Sequence, residues 1–462
     1  MRRAAVPLLL LLTISAPVRT QPLSEELSLE QAARLALERN LEYQAAVKEV
    51  DIALARQQQA RALPQPRLEA RLSWQHLPEV PALRVPPIAV RLPNPANPQS
   101  PLSWNIPVPE LELAKANARR ATLSFSMPLY TSGRLESAIR AAAIGVRASE
   151  ESARARAEDV VLQVTQAYLQ TVLSQRVEQV HQQALEVVQA HLQQAEALYQ
   201  QGLVAQYDVL RAQAELATQQ KRLTDARNGR ELARAALLNL LNLPQGQPLQ
   251  LSTPLREVAF PLSYEESVQA ALKTSPEIRA LRLKSQAQQA LAYATEAEAK
   301  PQVLFSVNVE TWTRDLSAIE PHASLTIGMR WNLFDAGYAR AAAREQREGA
   351  ERTEIERQRV ENLLALRVKQ ALLDLEAAQQ GLAAAQRAVE TAQESLRLAR
   401  RRFETGMGTS VEVLDAILAT SQAQLQREQA LYQMNVAYYT LLRLTGRLLN
   451  ELQLSPQEVQ RL

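Results

Sequence analysis

Apolar residues recur every three or four positions along two long stretches, one in each half of the chain. In the first half the spacing joins Leu185, Val188, Leu192, Ala195 and Tyr199. This spacing is typical of a helix that presents one apolar seam to a partner helix, as in a coiled coil. The same steps recur 204 residues later, at Val389, Ala392, Leu396, Ala399 and Phe403. The shared register predicts two related coiled-coil segments.

A second pattern, alternation of apolar and polar residues, marks four shorter segments. Alternating side chains point to opposite faces of a β-strand, so each segment predicts a strand with one apolar face. The predicted strands cover residues 66–75, 119–129, 302–312 and 322–333. Each is close to the ~9–11 residues that a tilted strand needs to cross a membrane. An ordinary half-buried sheet has the same pattern, and this alternative stays open.

The two halves match each other along most of their length. Residues 199–210 align with residues 403–414, each with a Gly at its fourth position, and Leu129–Gly133 aligns with Leu333–Gly337 at the same offset of 204. Upstream the offset becomes 235, so the first copy carries an insertion of 31 residues. Ten prolines lie between Pro78 and Pro109, which places the insertion there as a loop. The chain is therefore predicted to be a tandem repeat.

Proline is absent from two long runs, 129–243 and 322–455, which permits very long helices. Each copy is predicted to contain a β-hairpin followed by a helical hairpin whose tip lies near 202 or 406. The predicted fold is mainly α with a membrane β portion. The predicted division is a signal peptide 1–20, a first repeat 21–243, a linker 244–262, a second repeat 263–446 and a tail 447–462.

Composition narrows the function classes. Arg2 and Arg3 followed by an apolar stretch are typical of a secretory signal, and without residues 1–20 the net charge falls from +3 to 0. A basic footprint for nucleic acid is then absent. The chain has no Cys, and its four His form no metal-type spacing. We expect no cofactor, no metal site and no enzyme, and we expect each His to be solvated or packed.

Four strands cannot close a barrel, and open sheet edges are not tolerated in lipid. Strands that cross a membrane would therefore have to be pooled by several chains. Two alternatives to such a pooled membrane sheet are a periplasmic adaptor protein and a structural periplasmic coiled coil. An adaptor would have one hairpin within a nested sheet domain, and a structural coiled coil would leave the four alternating segments unexplained.

Local motifs make the chain similar to the TolC-like outer-membrane efflux protein family. They are Pro-Leu-Tyr-Thr-Ser-Gly-Arg at 128–134, Asn-Leu-Phe-Asp-Ala-Gly at 332–337, and the paired tips at 199–210 and 403–414. The resemblance implies a homotrimer in the outer membrane, with a 12-stranded β-barrel continued by an α-helical barrel into the periplasm. It implies a passive exit duct of a tripartite efflux or type I secretion system. The implied partners are a periplasmic adaptor, an inner-membrane transporter of RND or ABC type, and outer-membrane lipid.

Three acidic residues follow the predicted tips: Asp208, Glu412 and Asp415. The resemblance implies that rings of these acids line a periplasmic gate, where three copies would focus a negative potential. Helix capping is the alternative, since Thr409-x-x-Glu412 has the form of a capping box. The resemblance also implies a Tyr and an Arg that pair with the first acid, but Phe403 and Gly408 stand in those positions. The latch is therefore expected to differ here.

Further candidate residues lie at the tips and at the strand ends. The expected adaptor contacts are Gly202, Leu203, Val204, Gly406, Met407, Gly408 and Thr409. For the glycines, plain turn chemistry is the alternative. Trp74 and Trp331 are candidate anchors at the membrane interface, with packing between strands as the alternative. Arg71, Glu310 and Arg330 are expected either in a channel lumen or on an ordinary solvated face.

Overall fold

The computed structural model describes residues 26–78, 82–83, 86–93, 99–108, 111–112, 117–313 and 321–454. The predicted signal peptide and the last part of the predicted tail lie outside these residues. Two compact units divide the chain. The helical unit comprises the described residues of Met1–Glu49, Glu150–Arg279 and Gln358–Leu462, and the sheet unit comprises those of Val50–Ser149 and Ala280–Arg357.

The first half runs from a short strand through paired helices and strands to a helical hairpin. Its elements are β1 (Glu26–Leu27), α1 (Leu29–Arg39), α2 (Leu41–Ala62), β2 (Arg67–His76), β3 (Ala82–Leu83), β4 (Ile88–Leu92), β5 (Leu102–Ile106), β6 (Leu111–Glu112), β7 (Asn117–Tyr130), α3 (Arg134–Gln200) and α4 (Gln206–Leu240). The insertion predicted as a loop contains the antiparallel pair β4–β5. Both strands are Pro-free pentapeptides flanked by Pro residues, so their amides remain available for pairing.

The second half repeats this order without the insertion. Its elements are β8 (Gln250–Leu251), α5 (Tyr264–Thr274), α6 (Pro276–Glu296), β9 (Gln302–Thr313), β10 (Pro321–Arg330), α7 (Tyr338–Glu404), α8 (Ser410–Leu444) and α9 (Leu448–Glu451). Both α1 and α5 have 11 residues, both α3 and α7 have 67, and both α4 and α8 have 35. These equal lengths confirm the tandem repeat and the mainly helical fold class.

Local chemistry fixes equivalent boundaries in the two copies. Ser28 and Ser263 each cap the following helix through a reciprocal capping box. At the strand-to-helix turns, Gly133 has φ 83° and Gly337 has φ 85°, a left-handed conformation that Gly adopts without a Cβ penalty. The carboxylate of Asp335 accepts from the Gly337 and Ala339 amides at 2.9 Å each, which starts α7.

The sheet unit contains an antiparallel sheet with the strand order β10-β9-β7-β2. Cross-strand register aligns Ala70 with Leu123, Leu123 with Val309, and Val309 with Ala323. The predicted apolar positions therefore share one face on all four strands. The last strand was predicted to reach residue 333, but β10 ends at Arg330. Alternation continues through Trp331 and Leu333, but pairing ends at Arg330 because the partner strand β9 begins opposite it, at Gln302.

The core of the helical unit joins the short strands β1 and β8 to α3. Tyr168 is fully buried, and its hydroxyl donates to the Leu27 carbonyl and accepts from the Thr253 amide, both at 2.9 Å. Those bonds hold the parallel pair β1–β8 against α3. Each strand has only two residues, too few for an alternating pattern, so this pair could not be predicted from the sequence.

Among the described helices, none is both long enough and apolar enough to cross a membrane.

Candidate functional site

The two helical hairpins turn through the same backbone geometry. Gly202 has φ 74° and Gly406 has φ 73°. In each turn the Gly amide bonds back three residues, and the next amide bonds back five, to Leu198 in the first tip and Arg402 in the second. This is the glycine C-cap that ends many helices. The conformation of the turn is therefore sufficient to explain both glycines, which was the alternative to a role in adaptor contact.

The remaining predicted tip residues fall into three groups. Leu203 and Met407 are the most exposed, at 67% and 71%. Val204 is half-buried and packs against an apolar cluster below the tips. Thr409 caps α8, with its hydroxyl accepting from the Glu412 amide at 3.3 Å. Of the predicted contact residues, Leu203 and Met407 are thus the ones that offer large exposed apolar side chains.

Gly408 lies in a tight position. A Cβ added there would lie 2.9 Å from Arg402 Cβ and 3.0 Å from the Phe403 amide nitrogen. The backbone of this tip therefore has no room for the Arg side chain that the family resemblance implies at 408. This packing gives a physical reason for the departure noted in the sequence.

The predicted gate acids all belong to the helices that leave the tips. Asp208 Oδ2 accepts from the Ala205 amide at 3.3 Å. Glu412 Oε2 lies 3.8 Å from Arg402 Nη2. Thr409 thus makes its bond of the predicted capping box, while the Glu412 carboxylate lies near an arginine. Asp415 is exposed in the second turn of α8.

Asp415 also acts across the two hairpins. The pKa of Arg211 on α4 is raised, first by its hydrogen bond to the Tyr207 hydroxyl and also by the charge of Asp415. Arg211 Nη1 lies 3.1 Å from that hydroxyl. Two of the three acids thus have an arginine nearby, Arg402 for Glu412 and Arg211 for Asp415.

A buried polar contact that the sequence analysis did not single out lies below the tips. His191 Nε2 of α3 is 2.8 Å from Ser410 Oγ of α8. The imidazole also packs on Phe403 of α7, with 5.0 Å between ring centroids. His191 is 3% exposed, Ser410 is fully buried, and Phe403 is 2% exposed. His191 is thus packed, one of the two outcomes expected for each His.

The heptad pattern contained a signal for His191. The predicted seam ran through Leu192, but Leu192 is only half-buried whereas Val188 and Ala195 are fully buried. His191 lies three residues after Val188 and four before Ala195, so it satisfies the same 3,4 spacing. A polar residue at a seam position indicates a specific partner, which here is Ser410.

Burial determines how the imidazole titrates. The pKa of His191 is lowered from 6.5 to about 4, first by burial and then by the charge of Arg400, while Asp208 opposes the shift. Burial in an apolar environment disfavours the charged form of a base. His191 is therefore neutral at the pH of most growth media.

Comparison with known families gives the identity of the chain. A family model described as "Outer membrane efflux protein" matches residues 32–243 and 267–447. The chain belongs to the outer membrane efflux protein family. One matched segment lies in each half of the chain. Family membership confirms the resemblance stated from the motifs, and it confirms the outer membrane and efflux as location and function.

Several solved structures share the fold of this chain. CmeC, an outer membrane channel of Campylobacter jejuni, is 16% identical, with a TM-score of 0.74, and the match covers 91% of this chain and 86% of CmeC. VceC, an outer membrane protein of Vibrio cholerae, is 17% identical, with a TM-score of 0.72 and coverages of 90% and 96%. CusC is 19% identical, with a TM-score of 0.73 and coverages of 96% and 98%. No curated protein sequence matches significantly.

In this efflux protein the two candidate anchor residues lie at strand ends. Trp74 of β2 is 67% exposed, and its ring stacks on His76 at 6.2 Å. Trp331 directly follows β10 and is also exposed. Packing between strands of this one chain therefore covers neither indole. Their role as interface anchors stays a prediction.

Arg71, Glu310 and Arg330 share the face of the sheet opposite to the apolar one. Register aligns Arg71 with Thr122, Thr122 with Glu310, and Glu310 with His322. Arg71 also pairs with Glu69 at 2.8 Å. Arg330 continues this face at the end of β10, opposite Gln302. The sheet is therefore two-sided, with these three charged residues on one face and the predicted apolar positions on the other, where Arg119 lies opposite Trp74.

Proposed function

We propose that three copies of this chain assemble into an outer-membrane channel, each contributing the four strands β10-β9-β7-β2. The observation that carries the proposal is the apolar face of that sheet, which the chain leaves uncovered. Leu72 of β2 is 84% exposed, and Leu325, Ile327 and Met329 of β10 are each about two-thirds exposed. A face of this kind is favourable against lipid and unfavourable against water.

The sheet edges require partners in this setting. The order within the described residues leaves β2 and β10 each with one neighbour. In a bilayer every backbone polar group must be satisfied, so the free edges of β2 and β10 must be paired. Three copies of four strands give 12, which lies within the range of natural barrels. The polar face with Arg71, Glu310 and Arg330 would then line the lumen.

The helical hairpins would form the periplasmic part of the duct. Rings of Asp208, Glu412 and Asp415 at the narrow entrance would attract cations and control passage. Leu203 and Met407, with the turns around them, would contact a periplasmic adaptor. That adaptor would connect the channel to an inner-membrane transporter of RND or ABC type, which would supply energy and select the cargo.

Membrane fractionation and planar-bilayer recording test this proposal. We expect the protein in the outer-membrane fraction, chemically crosslinked to three chains, and we expect the purified trimer to produce discrete conductance steps. A matched preparation of the same protein unfolded by heat serves as the control for detergent leakage. Recovery as a periplasmic monomer, or an assembled trimer without conductance, would contradict the proposal.

A further inference from the structure

The contact among His191, Ser410 and Phe403 joins the two repeats close to their tips. His191 lies on α3 of the first hairpin, while Phe403 and Ser410 flank the tip of the second. All three belong to the apolar region that includes Val188, Val413 and Ile417, or adjoin it. A hydrogen bond in such surroundings is shielded from water and depends on direction, whereas the apolar contacts around it do not depend on direction.

The repeat does not duplicate this contact. The 204-residue offset relates position 191 to Ser395 and position 410 to Gln206, and both of these residues are exposed. Each chain therefore carries one such contact, between the first copy's α3 and the second copy's α8. The contact is an asymmetric addition to a duplicated framework, so the repeat alone does not require it.

We propose that His191, Ser410 and Phe403 form a tip clasp that holds the two hairpins of one chain together, and that acid releases it. The proposal rests on the proposed function, because a clasp at the tips regulates transport only if the tips gate a channel. The clasp would keep the entrance narrow at neutral pH and favour its widening as the periplasm acidifies.

The geometry explains why a proton would break the clasp. His191 Nδ1 is buried and has no hydrogen-bond partner among the described residues. In the neutral ring Nε2 can donate to Ser410 Oγ while Nδ1 carries a lone pair. Protonation would place an N–H at Nδ1 with no acceptor, which is costly in a buried site. The added positive charge would also lie near Arg400 of α7, with Asp208 of α4 as the opposing charge.

The direction of the pH effect follows from linkage. Burial lowers the pKa of His191 from 6.5 to about 4 in the clasped state. If the hairpins part and water reaches the ring, its pKa returns toward 6.5. Between these two values the parted state binds the proton and the clasped state does not, so acid favours parting. From pH 7.5 to pH 5.5 the ratio of parted to clasped tips is expected to rise roughly tenfold per clasp.

Two variants distinguish the effect of the His191–Ser410 hydrogen bond from the effect of protonating His191. Ser410→Ala removes the acceptor and should raise the open fraction at pH 7.5 by roughly fivefold, the usual effect of one buried hydrogen bond. His191→Gln keeps a side-chain amide donor but cannot be protonated, so the acid response should disappear. His181→Gln, a half-buried His on the same helix, is the matched control and should keep the wild-type acid response. The readout is the open fraction of single channels at pH 7.5 and pH 5.5.

Hydrogen exchange of the assembled trimer in detergent provides a second readout that does not depend on conductance. Exchange of amides in residues 185–200 and 405–415 should accelerate at pH 5.5 after correction for the intrinsic rate, and His191→Gln should abolish the acceleration. Equal exchange and equal conductance in Ser410→Ala and the wild type would overturn the clasp. A wild-type trimer that is silent in bilayers would instead count against the channel, while exchange would still decide the clasp.

Discussion

A buried arginine connects three helices of the helical unit through ion pairs. Arg443 of α8 is 9% exposed, and its Nη2 lies 2.6 Å from Asp159 of α3 and 2.7 Å from Glu277 of α6. Glu158, next to Asp159, is buried as well. Its pKa is raised from 4.5 to about 7, first by burial, against the lowering effect of Arg443. Burying a carboxyl group favours its neutral form.

Because the pKa of Glu158 is raised in the folded protein, the free energy of unfolding is expected to fall as pH rises. A carboxyl whose pKa is raised by folding stabilises the fold below its unfolded pKa, and the contribution is lost as pH passes through the folded value. We expect the free energy of unfolding to drop by about 2–3 kcal/mol from pH 5 to pH 8. Glu158→Gln should remove most of this slope, measured by chemical denaturation of the purified protein.

A matched control distinguishes Glu158 from the other carboxylates of the same helix. Glu186 is exposed on α3, so Glu186→Gln should leave the slope from pH 5 to pH 8 unchanged. If both variants keep the wild-type slope, burial of Glu158 is not its source.

At the scale of elements, the sequence pattern predicted the elements that occur in both repeats, but it did not predict the shortest strands or the contacts of single side chains. Helix and strand periodicity, together with the duplicated glycine turns, predicted the long helices and the two β-hairpins. The pattern could not show β1–β8, which pairs only two residues in each strand. It assigned Leu192 to the seam in place of His191, because an apolar residue is the default for that position. The acids were found from sequence, but Arg402 and Arg211 became their neighbours only through folding.

Because β2 has an apolar and a polar face, introducing a charged side chain at two adjacent positions is expected to have opposite outcomes. Leu72 lies on the apolar face and Ser73 on the polar face. Arg on the lipid face of a membrane strand costs about 2–4 kcal/mol at mid-membrane depth. Leu72→Arg should therefore reduce the amount of folded protein in the outer membrane severalfold, whereas Ser73→Arg should not. Quantitative immunoblots of outer-membrane fractions measure the difference, and equal losses for both variants would contradict the assignment of faces.

At the scale of the whole molecule, assembly would turn single residues into rings. One exposed acid on a chain has little effect through water, but three copies around a narrow entrance would add their potentials. The equal helix lengths of the two repeats favour a near-regular arrangement of helices around such an entrance. The tips still differ between the repeats, since Glu412 and Asp415 follow the second tip and Asp208 the first. The sequence alone established these identities.

Neutralising the acids that follow the second tip should alter ion passage. Glu412→Gln together with Asp415→Asn should reduce the preference of the channel for cations and weaken block by divalent or trivalent cations severalfold. Thr409→Ala is the matched control, because it removes the cap of α8 without changing charge. If the control and the double variant behave alike in single-channel recordings, capping is the only role of these residues.

The central claim, that several copies pool their strands, can be tested at the sheet edges. The chain has no Cys, so one Cys introduced along β2 and one along β10 report only on each other. We expect pairs at matching depth to form disulfides between chains in the outer membrane, giving a covalent ladder that ends at three chains. A pair with its first Cys in β7, at the centre of the sheet, should form none. A protein that remains a single chain at every position scanned along β2 and β10 would contradict the account.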